Sequence, residues 1–580
     1  MKNYFRLYIL FLCFIFHFLF SHAQNDWLWA KYGKGNGIVS NITIDNSGNC
    51  LLTGAFDIDS MQFGSHTLIN NNNYQGPEAF LVKYDQKGNL IWANQSSGNN
   101  TNPLNGYVSS TDEAGNVYMT ATFADSDIFG SYILHTSSIY ADCSFIVKYD
   151  PNGNILWAKQ STIPTEVSGV ISNFISTDAN GNSYLTGFFI DTAIFENDTL
   201  YFGSHGNTFL VKYNTNGNVI WAKESKSKSY SSNAEVFGET LDKHGNIYLT
   251  GRFVDTISLS IDTLIGPYFN QYNNYAFFLT KYDSSGNVKW AKQTKVPSIF
   301  CEGWGYADIC DQYGNIYVAG EFTDTLIFDN DTLISNCNAN NTNIFVVKYD
   351  SNGKVMWVKQ SSTQATYGAS TWAISSDTIG HIYVSGGIGN KNPVFIIDND
   401  TMKTTDTSYD DEPSFLLKID TSGKLLCGNI FPYAIIGNEA NSIASNPSGN
   451  YVYYAGETGT IAIYGQDTID PLKYRDVFPI IARWEECDPS LEVINMRDNI
   501  IKIVAYPNPN NGNFTLSLQG ISEKTQITIY NILGEQVYQT SLNSTSAQID
   551  IGNKAEGPYL YRVTTETGKL VGEGKLIINK

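Results

Sequence analysis

Phe145-Ile-Val-Lys-Tyr-Asp-Pro-Asn-Gly-Asn-Ile-Leu-Trp-Ala-Lys159 is the stretch that decides the fold. Apolar and polar residues alternate on both sides of a central Asp-x-x-Gly-Asn, the period of a half-buried strand. The Gly falls where a short loop needs a left-handed residue, and Asp or Asn folds back on its own backbone. The stretch therefore reads as a β-hairpin. It recurs from Phe80 to Ala93, Phe209 to Lys223, Phe278 to Lys292 and Phe345 to Lys359. A worn copy runs from Phe415 to Gly428, with Cys427 where the others carry Trp.

A second motif, Asp-x-x-Gly-Asn-x-Tyr-x-Thr-Gly-x-Phe, alternates with the first, as from Asp242 to Phe253. Its turn glycines are Gly48, Gly115, Gly181, Gly245, Gly314, Gly380 and Gly449, in steps of 64 to 69 residues. Such a period marks a repeat architecture, in which each unit buries its faces against its neighbours. Each unit supplies four strands, A to D. In the fourth, A ends at Leu241, B is roughly Ile247 to Phe253, C is Ala276 to Tyr282 and D is Val288 to Lys292. Four antiparallel strands repeated in a ring predict a β-propeller. The seventh strand C, Phe478 to Trp484, has no D after it, while Trp27-Leu-Trp-Ala-Lys31 matches strand D and has no C before it. The expected fold is all-β: a seven-bladed β-propeller closed by the N-terminal strand, which also removes two open edges.

The pattern stops after Trp484. Residues 485–503 read as a linker. From Val504 short alternating strands return, and residues 504–580 read as a small C-terminal β-sandwich. At the other end, Lys2 and Arg6 precede an apolar run from Leu7 to Phe20, followed by Ser21-His22-Ala23. Residues 1–23 thus read as a secretory signal peptide and 24–484 as the propeller. The apolar run is short for a membrane span and no later stretch is long enough, so no transmembrane segment is expected in the mature chain.

Composition fits this reading. Charged residues make up 16% of the 580, aromatic residues 14%, and the net charge is −20. An acidic chain without a basic stripe argues against nucleic acid as a partner. It is compatible with a neutral glycan, a cationic partner or bound cations. No CxxC pair occurs among the cysteines, which disfavours a zinc cluster, and Cys301 and Cys310 flank a short segment that could be bridged in an oxidising compartment.

Two resemblances add to the pattern. Residues 504–580 resemble the type A sorting domain of cargo for the type IX secretion system of Bacteroidetes. The residues that carry the likeness are Tyr506-Pro507-Asn508-Pro509 with Gly512, Ile527-Thr-Ile-Tyr530, Gly557-Pro-Tyr559 and the closing Lys575 to Lys580. The resemblance implies export across the outer membrane, a secreted or outer-surface location, contact with the secretion machinery and attachment of many such cargos to surface lipopolysaccharide. The segment from residue 27 to 484 resembles bacterial SBBP-repeat proteins through its Phe-x-Val-Lys-Tyr-Asp and Gly-Asn-x-Tyr-x-Thr-Gly motifs. That likeness implies the propeller and brings no catalytic residues. The triplets that begin at Asp191, Asp255 and Asp324 also resemble Bacteroidetes O-glycosylation acceptors, although they recur with the loop that contains them.

For chemistry, the sequence offers no His-Glu-x-x-His, Gly-x-Ser-x-Gly or phosphate loop. The Asp150-Pro-Asn-Gly-Asn154 turns mimic the start of a calcium loop but carry Ser161 where its last acidic ligand belongs. No catalytic, cofactor or metal residue is therefore assigned. The D-strand Trp residues occur once per repeat at one register, which is the signature of packing. The remaining candidates lie in the connections from D to A: Glu166, Glu235, Glu302 and Glu439, with Trp304 and Trp372 nearby. Carboxylates beside aromatics suit a sugar or a cation, and also describe a solvated acidic rim. Long variable excursions between B and C, on the same face, are where binding is expected. The sequence thus favours a secreted or cell-surface binding and adhesion module with a glycan or protein ligand, not an enzyme. The alternatives are a carbohydrate-active enzyme that uses loop-face carboxylates and a structural surface-layer component.

Overall fold

The structure, a computed structural model, describes residues 27–580 except 73–75, 101–106, 166–167, 202–206, 228–232, 260–261, 268–274, 298–300, 336–341, 364–367, 390–393, 398–399, 404–413, 432–441, 459–461, 465–466, 470–477, 486–501, 507–509, 520–523, 532–534, 543–545 and 566–569. The signal peptide, most of the linker, Glu166, Glu439, Pro507, Asn508 and Pro509 lie outside the described residues. Among those described, the chain is all-β, built of small antiparallel sheets, and no helix is long and apolar enough to cross a membrane. It divides into two compact units at 493/494.

In the first unit, seven sets of four strands follow one order, A-B-C-D; five are four-stranded sheets, and those of the fifth and seventh repeats lie within six-stranded sheets. In the first repeat these strands are Gly37–Ile44, Cys50–Phe56, Glu78–Tyr84 and Leu90–Gln95. The seventh combines Ser442–Ser445, Tyr451–Thr458 and Phe478–Glu485 with Trp27–Lys34 from the other end of the chain. Strand A of each repeat lies against strand A of the next, and that of the seventh against that of the first.

The turns explain the recurrence of Asp and Gly. Asp150 Oδ1 accepts the N–H of Asn152 and Asn154 at 2.9 and 2.8 Å, and its Oδ2 accepts the Asn154 side-chain amide at 2.7 Å. Gly153 stands at φ 87°, where a Cβ would be strained. Each B–C excursion described in the first five repeats begins with a short extra hairpin, and an Asp at positive φ enters it at Asp125, Asp191, Asp255 and Asp324. The triplets that resemble glycosylation acceptors thus have a local conformational role.

One expectation changes for half of the repeated hairpin. Strand D is partly exposed, but strand C of the first repeat, like strand B, is buried at every position, because sheets cover both of its faces. The Lys of Phe-x-Val-Lys-Tyr-Asp consequently points inward, and Lys83 is 3% exposed. It is satisfied by Asp45 at 2.8 Å and by the Pro151 carbonyl of the next repeat at 3.4 Å. The extra hairpins pair with the chain that follows strand D of the preceding repeat, as Asp127↔Gly98 and Ser258↔Lys226, and Phe63↔Gly33 ties the first repeat to the seventh in the same way.

A three-part clasp joins neighbours at the turns. Between the second and third repeats, Tyr118 Oη donates to Gly181 O at 2.8 Å, while Lys148 Nζ and Trp157 Nε1 donate to Thr215 O at 3.3 and 3.1 Å. Between the seventh and first repeats, Tyr453 Oη donates to Gly48 O at 3.3 Å and Trp29 Nε1 to Gln86 O at 3.2 Å, with Arg483 in place of the lysine. In the sixth repeat Cys427 occupies the Trp position and is disulfide-bonded. Cys50, Cys143, Cys301 and Cys310 are not disulfide-bonded, so the bridge considered between Cys301 and Cys310 is not formed.

In the second unit, Lys502–Tyr506, Asn513–Gln519 and Ser546–Asp550 form one sheet. Gln536–Leu542, Thr525–Tyr530, Gly557–Thr565 and Leu570–Ile578 form the other, and both contribute to a single core that includes Leu516, Ile549, Ile527 and Val563. The first strand begins inside the stretch read as linker. Of the sorting-motif residues, Gly512 stands at φ 100°, and a Cβ there would lie 2.4 Å from Gly552 Cα. Gly557 stands at φ 135° with open space around it. Tyr559 Oη donates to Ala555 O at 2.8 Å, and Lys580 donates through N to Glu556 and through Nζ to Lys554 O.

Three outcomes are expected. Reducing the Cys427 disulfide, or Cys427→Ser, should cost about 2–4 kcal/mol; an unchanged melting temperature under reductant would contradict this. Gly512→Ala should cost more than Gly557→Ala, the first facing both strain and a backbone clash. Equal rates of protease attack on the C-terminal unit of the two variants would refute that ranking. The third concerns pH. Burial pushes the turn carboxyls of Asp45, Asp85 and Asp150 up, but the converging donors together outweigh it and lower them from the usual carboxylate value. Burial pushes Glu239 up to about 7 and Glu321 to about 8. A lowered carboxyl stabilises the fold above its unfolded value and loses that as pH falls; a raised one stabilises below its unfolded value and loses that as pH rises through its folded value. Stability should therefore fall below roughly pH 4 and again as pH rises through the values of Glu239 and Glu321. A melting temperature flat from pH 5 to about 9 would contradict the second limb.

Candidate functional site

In the described A strands of repeats one, three, four, five and six a β-bulge interrupts the ladder. A bulge re-aims the extra side chain. The bulged residues are Ser40, Asn173, Phe237, Tyr306 and Trp372, so three successive repeats present aromatic rings at this register. Here the connections predicted to be loops are strand. Glu235 lies within Asn233–Leu241, and Glu302 and Trp304 lie within Glu302–Cys310.

The residue that organises the cluster is Arg252, on strand Ile247–Val254 directly opposite Glu235. Its Nε and Nη2 donate to Glu235 Oε2 at 2.9 and 2.6 Å, and both side chains are half-buried. Three rings surround the guanidinium, at 4.2 Å for Tyr275, 5.1 Å for Trp304 and 5.2 Å for Phe237. Such contacts suit a flat, weakly hydrated cation. Tyr306 extends the aromatic surface, 5.4 Å from Phe237 and 5.8 Å from Trp304 between ring centres. The seam thus joins the fourth and fifth repeats.

Two groups at this seam have unused capacity. The Trp304 indole N–H is buried with no acceptor among the described residues. Glu302 is half-buried, and burial raises its carboxyl pKa against the opposing charge of Arg252. An unmet donor beside a partly desolvated carboxyl provides for a ligand that both accepts and donates hydrogen bonds. The rings supply flat apolar area.

Of the sequence candidates, the structure brings together Glu235, Glu302 and Trp304. Trp372 lies over Gly387 of its own repeat and is not one of the rings around Arg252. Arg252, Tyr275, Phe237 and Tyr306 escaped the sequence reading. One signal was available for Arg252: at the residue before the strand-B Phe, the first four repeats read Ala55, Thr122, Phe188 and Arg252. Arg252 is charged, as is Glu321 at the same position of the fifth repeat, where the first two repeats bury Ala55 and Thr122.

Comparison with known proteins places the chain as follows. A curated viral relative, an uncharacterized WD repeat-containing protein L264 of Acanthamoeba polyphaga mimivirus, is 25% identical over 223 residues, 32% of this chain and 15% of that protein. Ulvan lyase NLR42 of Nonlabens ulvanivorans is 35% identical over 99 residues, 17% of this chain and 18% of that enzyme. The chain thus spans less than a fifth of the length of either relative. Among solved structures, PorZ, a surface component of the type IX secretion system of Porphyromonas gingivalis, superposes with a TM-score of 0.21 at 10% identity, covering 93% of this chain and 81% of that one. Residues 504–579 match the family model of the secretion system C-terminal sorting domain. The C-terminal unit is therefore a type IX sorting domain, and the protein is a cargo of that system, delivered to the cell surface or secreted.

Proposed function

We propose that residues 24–484 form a seven-bladed β-propeller, closed by Trp27–Lys34, that works outside the cell as a carbohydrate-binding module. The closed ring is supported by the recurrence, between the seventh and first repeats, of the A-strand packing, the hairpin pairing and the turn clasp found between other neighbours. The observation that carries the binding function is the seam at Arg252: stacked aromatic area, a paired guanidinium, the Glu302 carboxyl and an unmet indole donor on one surface. Sugars present apolar ring faces and hydroxyls that donate and accept, which is what such a surface matches. After sorting, attachment to surface lipopolysaccharide would hold the module on the cell.

A second reading has one observation behind it. Glu235 is ion-paired to Arg252 while burial raises the pKa of Glu302. An ion-paired carboxylate beside a carboxyl raised by burial is the kind of pair that glycoside cleavage uses, so a carbohydrate-active enzyme is the alternative.

The purified secreted protein should retain one class of polysaccharide in pull-downs and on a glycan array. Trp304→Phe keeps the ring and removes the N–H, and should weaken binding by about tenfold, as should Glu302→Gln. If both variants bind as the wild type does, the seam is not the site. Reducing ends released from the bound polysaccharide by the wild type and not by Glu302→Gln would replace the binding module with the enzyme.

A further inference from the structure

Two carboxyl groups are sealed between the first and second repeats, away from the Arg252 seam. Glu78 opens strand Glu78–Tyr84 and is 1% exposed; Asp127 lies in the extra hairpin strand Ser126–Phe129 and is 0% exposed. Both break the repeat. The hairpin position paired with a Leu is Met61, Ala193, Ile257 or Leu326 in other repeats, and here it is Asp127. The position opposite the strand-B Phe is Cys143, Asn207, Ala276 or Asn343, and here it is Glu78. Two acids exchanged for neutral residues, on different repeats yet meeting at one junction, form a built pair.

Ser96 lies between them: its Oγ donates to Glu78 Oε2 at 3.1 Å and its side chain also serves Asp127, while the Gly98 backbone serves Glu78 and the Ile128 N–H donates to Asp127 Oδ1 at 3.0 Å. Glu78 Oε1 and Asp127 Oδ2 are buried without a partner among the described residues. Burial first, and then the charge of Glu78, raises the Asp127 pKa, yet no hydrogen bond joins the two carboxyls. A proton on one would leave the other's inner oxygen unmet. Ionised carboxylates in a dry site are too costly to persist uncompensated.

We infer that Glu78 Oε1 and Asp127 Oδ2 bind a hard divalent cation of the calcium type, which clamps the hairpin of the second repeat onto the first. Two carboxylates match its charge, and its appetite for oxygen is met by neutral groups and water for the remaining ligands. The clamp stands where the hairpins of four other repeats place an apolar side chain.

The test is thermal unfolding of the full secreted chain stripped with EDTA, then given about 1 mM CaCl2, the affinity range of extracellular calcium modules. Calcium should raise the melting temperature by about 2–5 °C, and elemental analysis should find one ion per chain at this site. Asp127→Leu, the residue at the equivalent Leu326, should fold and lose both effects; Glu78→Gln serves if it does not fold. Equal melting temperatures in EDTA, CaCl2 and MgCl2 would overturn the inference, as would a calcium response that survives in Asp127→Leu or Glu78→Gln.

Discussion

Each repeat of the first unit sets four strands side by side with two faces to cover, and neighbouring sheets cover them. That constraint governs the rest. It explains why strand C is buried at each position instead of at every other one, and why the chain repeats. Burial on both faces would trap the lysine that follows the apolar run. The structure resolves this by pairing it with the Asp of a turn and with a carbonyl of the next repeat, so a charged residue becomes part of the joint. Tyr and Trp act the same way, with apolar bodies in the interface and polar tips on the neighbour's turn.

The outer part of each repeat is tied by different means. The extra hairpins carry an alternating pattern that buries one face, such as Met61 and Phe63, and they hydrogen-bond to the chain leaving the preceding strand D. Gln95, Gln160, Gln293 and Gln360 each accept from and donate to the backbone of their own repeat's hairpin, at Ile69, His135, Ile265 and Ile334. What looks in sequence like variable loop is in good part a fastening along the exposed edge of strand D.

Much of this was legible from residues 145–159 alone. The Asp-x-x-Gly-Asn turn fixes the hairpin through local hydrogen bonds, so its sequence signature is complete. The pairing of Trp27–Lys34 with Phe478–Glu485 followed from counting strands. The inward turn of Lys83 was not legible, because alternation shows that two faces differ and not what covers them. The site was legible in pieces. Glu235, Glu302 and Trp304 stood out as carboxylates and an aromatic near one face, but Arg252 sits within a strand motif otherwise explained by packing, and bulges leave no mark in sequence. The Glu78–Asp127 pair needed the register of two repeats at once before either acid looked out of place.

The strand that completes the seventh repeat is the first strand of the described chain, some 450 residues from its partner. Closing so long a loop adds little entropy per residue but delays the contact until all else is assembled. A chain made from its N-terminus therefore carries Trp27–Lys34 with an open edge throughout synthesis, while the acceptor strand Phe478–Glu485 emerges just ahead of the sorting domain. The sorting domain follows that acceptor strand in the chain, so a chain that displays it has already had every one of these repeats synthesised.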